Sequence, residues 1–289
     1  MPSPFTKTYE AGHYGGRGVK LVHDSTALNT KDQPVNIFFP PGVYENPDGK
    51  VPVLYYLAGL TDNADSGFDK GNLQEWAAKY GIAIVYPDNS PRGTDLPNEH
   101  VTIDYGSSAG FYIDATAEPW TAHYNMETYI VKELPALLYA EYPQLDSTRV
   151  AITGHSMGGH GAMTLYFKYP GMFKSASGFA PLANPIESPL GQSAFGQYFK
   201  SKEEWAAHDA LELMKKYKER TMDIFITIGT EDQYMENLQF YNFEAAVKEL
   251  GKEGEVQIKW VEGYDHLYFY VASVAREHVE HAAKSFGLL

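Results

Sequence analysis

Apolar residues in this chain gather in short runs separated by stretches where apolar positions recur every three or four residues. The runs at 35–39, 53–57, 82–86, 150–153, 224–228 and 256–261 are rich in β-branched and aromatic residues and, with the small-residue run at 175–179, read as strands. Helical periodicity marks 72–80, 126–141, 159–169, 203–217, 237–250 and 268–286, with Pro135 predicting a kink in the second of these. Strands alternating with helices define the α/β class, a mostly parallel central sheet flanked by helices. The chain has 289 residues and no flexible linker, repeat or low-complexity tract, so a single domain over 1–289 is expected. Residues 90–119 are rich in Pro and Gly and read as a long loop covering the functional face.

One stretch carries chemistry. Gly154-His155-Ser156-Met157-Gly158 places a serine between two glycines where the strand at 150–153 gives way to a helix. This is the context of a nucleophile elbow in an α/β-hydrolase fold, in which a strained turn exposes the hydroxyl and the glycines permit close backbone packing. A Gly-rich loop before a helix is the bland alternative, and the flanking strand and helix weigh against it.

A serine nucleophile needs a base and an acid, which this fold supplies in the chain order serine, acid, histidine. The strand at 224–228 breaks at Gly229-Thr230-Glu231-Asp232-Gln233, where either Glu231 or Asp232 could serve. The strand at 256–261 ends at Glu262-Gly263-Tyr264-Asp265-His266, making His266 the candidate base among ten histidines. His278 and His281 fall on the terminal helix and are expected on its solvated face, while His13, His23, His100, His123 and His208 lie away from strand ends. His155 and His160 are five apart, which does not put them on one helix face as a zinc pair requires, so no metal site is expected. For the oxyanion hole the backbone amide of Met157, following the serine, is the first candidate donor. Leu60, in the turn after the strand at 53–57, is the second, although Gly59-Leu60 also reads as an ordinary turn.

Composition narrows the partners. A formal charge of −14 without a basic cluster excludes nucleic-acid binding, which needs a cationic surface. There is no cysteine, hence no disulfide and no thiol chemistry. Met1-Pro2-Ser3-Pro4-Phe5 lacks a signal-peptide pattern and no apolar run is long enough to span a bilayer, so a soluble cytoplasmic protein with no membrane partner is expected.

Beyond the elbow, the chain resembles the S-formylglutathione hydrolase, or esterase D, family along nearly its whole length. The resemblance is carried by Phe38-Phe39-Pro40-Pro41, Leu57-Ala58-Gly59-Leu60-Thr61, Ser90-Pro91-Arg92-Gly93, Ala109-Gly110-Phe111-Tyr112 and the extended elbow through Ala162. Phe179-Ala180-Pro181, Asn184-Pro185, Asp232-Gln233 and Tyr264-Asp265-His266 add to it. It implies Ser156, Asp232 and His266 as the triad, Leu60 and Met157 as the oxyanion hole, a small thioester or ester substrate, no cofactor and a homodimer. The sequence departs from the family pattern at Asp62, where a cysteine is usual, at Leu190, where a tryptophan is frequent, and at Leu267, where a small polar residue is frequent. These departures bear on the substrate pocket rather than the triad. Trp120 and Phe111, in the long loop, either line the site or are pinned into the core.

Overall fold

The computed structural model describes residues 3–44 and 49–289; Met1 and Pro2, which open the segment read above for a leader, lie outside them. Among the described residues nine strands form one sheet: β1 Phe5–His13, β2 Gly16–Ser25, β3 Thr30–Phe39, β4 Val51–Leu57, β5 Ala83–Pro87, β6 Leu145–His155, β7 Ala176–Phe179, β8 Ile224–Gly229 and β9 Val256–Val261. Across the sheet they run β1-β2-β3-β5-β4-β6-β7-β8-β9. The first three strands are antiparallel to their neighbours, and every pairing from β5 to β9 is parallel. This is the α/β-hydrolase architecture. From β4 the chain moves out to β5 and then returns to the other side of β4 to form β6. Such a reversal opens a crevice between the carboxyl ends of β4 and β6, the usual place for a ligand in an open α/β sheet.

All seven strands read from the sequence are present. The hairpin β1–β2 was not legible, because β1 buries only Phe5 of its nine residues and so carries almost no apolar signal. Helices Ala64–Lys70 and Pro189–Tyr198 were also missed, the first because it is mostly polar, the second because it holds two glycines and three polar positions.

Three predicted helices are subdivided, each for a local reason. The 126–141 segment runs as Met126–Thr128, a π-helical stretch Tyr129–Glu133 and Leu134–Glu141. The wide π turn lies just before Pro135, whose ring and missing N–H an unbroken α-helix tolerates poorly. The 203–217 segment divides at Asp209, whose extended backbone and carboxylate cap the helix Ala210–Lys216 by accepting from the Glu212 N–H at 3.1 Å. The 237–250 segment is interrupted at Gln239, which adopts a left-handed conformation between Met235–Leu238 and Phe240–Glu249.

The terminal helix Tyr268–Ser285 corrects the expectation for its histidines. His278 is fully buried, stacked on Phe179 with ring centroids 3.5 Å apart, and bonded through Nε2 to Thr227 Oγ1 at 2.9 Å. His281 is also largely buried, beside Asp223 and the Phe225 ring. The helix faces the sheet on the side that holds both imidazoles, and helical periodicity cannot distinguish a histidine there from one facing water.

Burial pushes the imidazoles of His155 and His278 well below their ordinary pKa of 6.5, and those of His160 and His208 down to about 3. These groups stay neutral in the folded protein and take up protons when it unfolds near pH 6.5. Below that pH the unfolded state binds more protons, so stability is lost as pH falls, by about 1.4 kcal/mol per pH unit for each such histidine. The urea midpoint is therefore expected to drop between pH 7.5 and pH 5.5 by the equivalent of roughly 3 kcal/mol or more. An unchanged midpoint across that window would contradict buried, neutral imidazoles.

Candidate active site

Strand β6 ends at His155, and Ser156 turns the chain into the helix Met157–Lys168. Ser156 has φ 57° and ψ −116°, a strained conformation for a residue with a side chain. Its neighbours hold it there. The Ser156 N–H donates to the Phe179 carbonyl at 2.9 Å, and the Ser156 carbonyl accepts from His160 and Leu182 N–H at 3.0 and 3.2 Å. The glycines are required by space. A Cβ on Gly158 would lie 1.9 Å from the Leu57 carbonyl oxygen, and one on Gly154 would lie 2.3 Å from the carbonyl oxygen of Gly158. The start of the helix is thus pressed against the end of β4, which brings the turn at Leu60 beside the serine.

The candidate acid and base arrive by a second close approach. A Cβ on Gly229, at the end of β8, would meet the Tyr264 carbonyl oxygen at 2.1 Å, and the Glu231 N–H donates to that same carbonyl at 2.9 Å. These contacts join the loop after β8 to the loop after β9. His266 Nδ1 and Asp232 Oδ2 are 2.6 Å apart, both residues buried, while the Tyr234 N–H donates to Asp232 Oδ1 at 2.8 Å. Of the two acids left open by the spacing, Asp232 meets the histidine and Glu231 faces solvent. The His266 N–H donates to Gln233 Oε1 at 3.2 Å.

Ser156 and His266 line one cleft of about 400 Å³. Among the described residues the Ser156 hydroxyl makes no hydrogen bond in this state; contacts between a nucleophile and its base often tighten only when substrate fills the site. Leu60 also lines the cleft, and Met157 is the first residue of its helix, where N–H groups lack intrahelical partners. Neither amide is hydrogen-bonded among the described residues, so both are available to a developing oxyanion.

Asp62, Leu190 and Leu267, singled out as departures, all face the cleft. Asp62 is half-buried, with Oδ2 accepting from the Tyr268 hydroxyl at 3.0 Å, and burial holds its carboxyl above the usual range. Trp120 and Phe111 do not reach the cleft. Both are buried in an aromatic cluster around Tyr198, with centroid separations of 5.3 and 6.3 Å, which pins their loop to the core. That loop instead contributes Ile103 and Asp104 to the cleft wall.

Sequence reading weighed His155 only as a metal ligand and passed over Tyr268. His155 is buried, with Nε2 donating to the His266 carbonyl at 2.9 Å and its ring 4.6 Å from the His266 ring. A carbonyl only accepts, so Nε2 carries the proton and the elbow is tied directly to the backbone of His266. Tyr268 links Asp62 to the Tyr56 hydroxyl, 3.3 Å away. The only hint in the sequence was their position, one residue before the serine and two after the base. Among the described residues no group of three or more His, Cys, Asp or Glu is arranged to hold a metal ion, and no helix is long and apolar enough to cross a membrane.

This fold, with its cleft at the sheet reversal, defines a hydrolase of the α/β-hydrolase class. The chain belongs to the family "Putative esterase", whose profile matches residues 25–281. It is 41% identical over 290 residues to an S-formylglutathione hydrolase of Arabidopsis thaliana, covering 100% of each chain. It is 40% identical to that of Paracoccus denitrificans (strain Pd 1222), covering 99% of this chain and 100% of the relative. The solved structure of an S-formylglutathione hydrolase from Agrobacterium tumefaciens superposes with a TM-score of 0.87 at 33% identity, covering 96% of this chain and 99% of that one.

The packing at the elbow predicts opposite outcomes for two Gly→Ala changes. Gly158→Ala must move the end of β4 and should cost about 3 kcal/mol or more. Gly196→Ala, on an exposed helix position with nothing within 4 Å of the added methyl, should stabilise by about 0.5–1 kcal/mol. Urea denaturation of both variants checks the pair; a tolerated Gly158→Ala would mean that the close approach is not needed.

Proposed function

We propose that this chain hydrolyses S-formylglutathione to formate and glutathione, with Ser156 as nucleophile, His266 as base and Asp232 as its orienting acid. The observation that carries the reading is the 2.6 Å contact of Asp232 with His266, which lines the same cleft as the strained Ser156; the names of the relatives supply the substrate. Ser156 Oγ attacks the formyl carbon and passes its proton to His266 Nε2, while the carbonyl oxygen becomes an alkoxide held by the Leu60 and Met157 amides. Collapse breaks the C–S bond, glutathione leaves with the proton from His266, and Ser156 carries the formyl group as an ester. Water then attacks with His266 as base, releasing formate and restoring the hydroxyl. Asp232 stabilises the imidazolium in both halves. In this reading the chain acts as one domain over 1–289, without cofactor, in cytoplasmic formaldehyde removal, and pairs as a homodimer.

A second reading, a short-chain carboxylesterase using the same triad, is favoured by the charge of the cleft. Asp62 and Asp104 line it and no Lys or Arg does among the described residues, whereas the glutathione moiety carries two carboxylates and one ammonium. Comparing kcat/KM for S-formylglutathione and p-nitrophenyl acetate, with Ser156→Ala as control, separates the two. A large thioester preference supports the first; ester turnover alone, lost in the control, supports the second.

Asp232→Asn should lower kcat by about 10⁴ and Glu231→Gln should leave it almost unchanged; the reverse pattern would move the acid to Glu231. Asp62→Asn removes a negative charge from the cleft, worth on the order of 1 kcal/mol against an anionic leaving group. The ratio of thioester to ester efficiency should therefore rise about fivefold, and an unchanged ratio would take Asp62 out of substrate selection.

A further inference from the structure

Resting on the Leu60 amide as an oxyanion donor, we propose that Asn89 is a positioning residue that aims this amide by gripping the opposite side of its peptide. In a trans peptide the C=O and the following N–H point in opposite directions. The Gly59 carbonyl and the Leu60 N–H belong to one such unit. Asn89 Nδ2 donates to the Gly59 carbonyl at 2.6 Å, and the Asp62 N–H adds a second bond to it at 3.3 Å. With the oxygen held from behind, the Leu60 N–H must point forward into the cleft.

Asn89 is itself fully buried, and its amide has one possible orientation. Its Oδ1 accepts from Arg92 Nη2 at 3.0 Å, and Nδ2 also donates to the Ser108 carbonyl at 3.2 Å. A guanidinium only donates and carbonyls only accept, so a flipped amide would lose all three bonds. Arg92 is anchored in turn by the Asp88 carboxylate and Ser108 Oγ, and it donates to the Asp62 carbonyl at 3.2 Å. The Thr61 N–H completes the cage by donating to the Ser108 carbonyl at 3.0 Å. The donor at Leu60 is thereby fixed from a loop with no helix or strand of its own, the feature required of a preorganised oxyanion hole.

Asn89→Asp is nearly isosteric but turns a carboxylate oxygen toward two carbonyls, releasing the Gly59–Leu60 peptide. Its kcat for p-nitrophenyl acetate should fall about 10- to 100-fold while KM changes less than about twofold, the split expected when an interaction made only in the transition state is weakened. An aryl trifluoromethyl ketone, whose adduct with Ser156 places an oxyanion against Leu60 and Met157, should lose affinity in parallel with kcat. Tyr112→Phe serves as a comparison: it removes the hydroxyl that bonds the Ala58 carbonyl at 2.8 Å, one peptide earlier. It should lower the melting temperature and leave ketone affinity within about twofold. Asn89→Ser, which removes the amide without adding charge, is measured alongside in case Asn89→Asp does not fold. Unchanged kcat and ketone affinity in a folded Asn89 variant would overturn the proposal, as would losses that track melting temperature equally in the Asn89 and Tyr112 variants. Activity surviving in Ser156→Ala would instead overturn the serine-hydrolase reading on which the proposal rests.

Discussion

The Leu57 carbonyl and the Gly158 backbone lie so close that one added methyl group would come within 1.9 Å of the oxygen. That contact sets the distance between the end of β4 and the start of the helix after β6, and therefore the distance between the turn at Leu60 and the serine at 156. Attack on a carbonyl needs the nucleophile and the oxyanion donors around one small volume, and a side chain's width of separation would take the donors out of hydrogen-bond range. The sheet reversal between β4 and β6 opens the crevice; the absent Cβ closes it to a working size. The same device recurs at Gly229, where the loops carrying Asp232 and His266 are brought together by contact with the Tyr264 carbonyl.

Close backbone contact fixes positions, and hydrogen bonds to otherwise unpaired groups fix directions. The backbone of His266 is held from two sides, its carbonyl by His155 and its N–H by Gln233, before Asp232 orients the ring. Burial also keeps the His155 imidazole neutral, so it places no second cation beside His266 to oppose the charge that His266 would take up as the proposed base. Directional constraint at the serine is of another kind. Its strained backbone conformation is retained because both its N–H and its carbonyl are committed to neighbours, so relaxing the turn would strand buried polar groups.

The parts of this arrangement that could be read from the sequence are those written in consecutive residues. The elbow is local: glycine, strand and helix lie within a few positions of Ser156, and the loops after β8 and β9 are marked by where their apolar runs stop. The Asp232 and Glu231 alternatives were not separable by spacing, since adjacent residues at a strand end share every local signal. Their distinction is a long-range fact, the approach of His266 34 residues later. The same holds for Asn89 and Arg92, whose partners lie at Gly59, Asp62 and Ser108, and for Trp120 and Phe111, which the sequence left between lining the site and packing into the core and which are buried against Tyr198. The β1–β2 hairpin escaped for the opposite reason, because an edge strand that buries one residue in nine leaves no apolar pattern.

In the proposed mechanism reaction type and substrate choice rest on different parts of the cleft. Acyl transfer would depend on Ser156, on His266 as its base and on two backbone amides, and a change of side chain at positions 60 or 157 that keeps the N–H leaves those donors in place. Substrate choice falls to the walls, where Asp62, Asp104, Leu190 and Leu267 supply charge and apolar surface. The carboxylate of Asp62 is half-buried, and its desolvation is eased by Ser66, by the Tyr268 hydroxyl and by Lys70, a cation that does not line the cleft. A leaving group with net negative charge must therefore approach a wall that offers no cation among the described residues, on a chain with formal charge −14. A neutral ester meets no such opposition. On the proposed mechanism the same backbone serves thioester and ester hydrolysis alike, and the charge at Asp62 is the wall feature that opposes an anionic leaving group and leaves a neutral one unaffected.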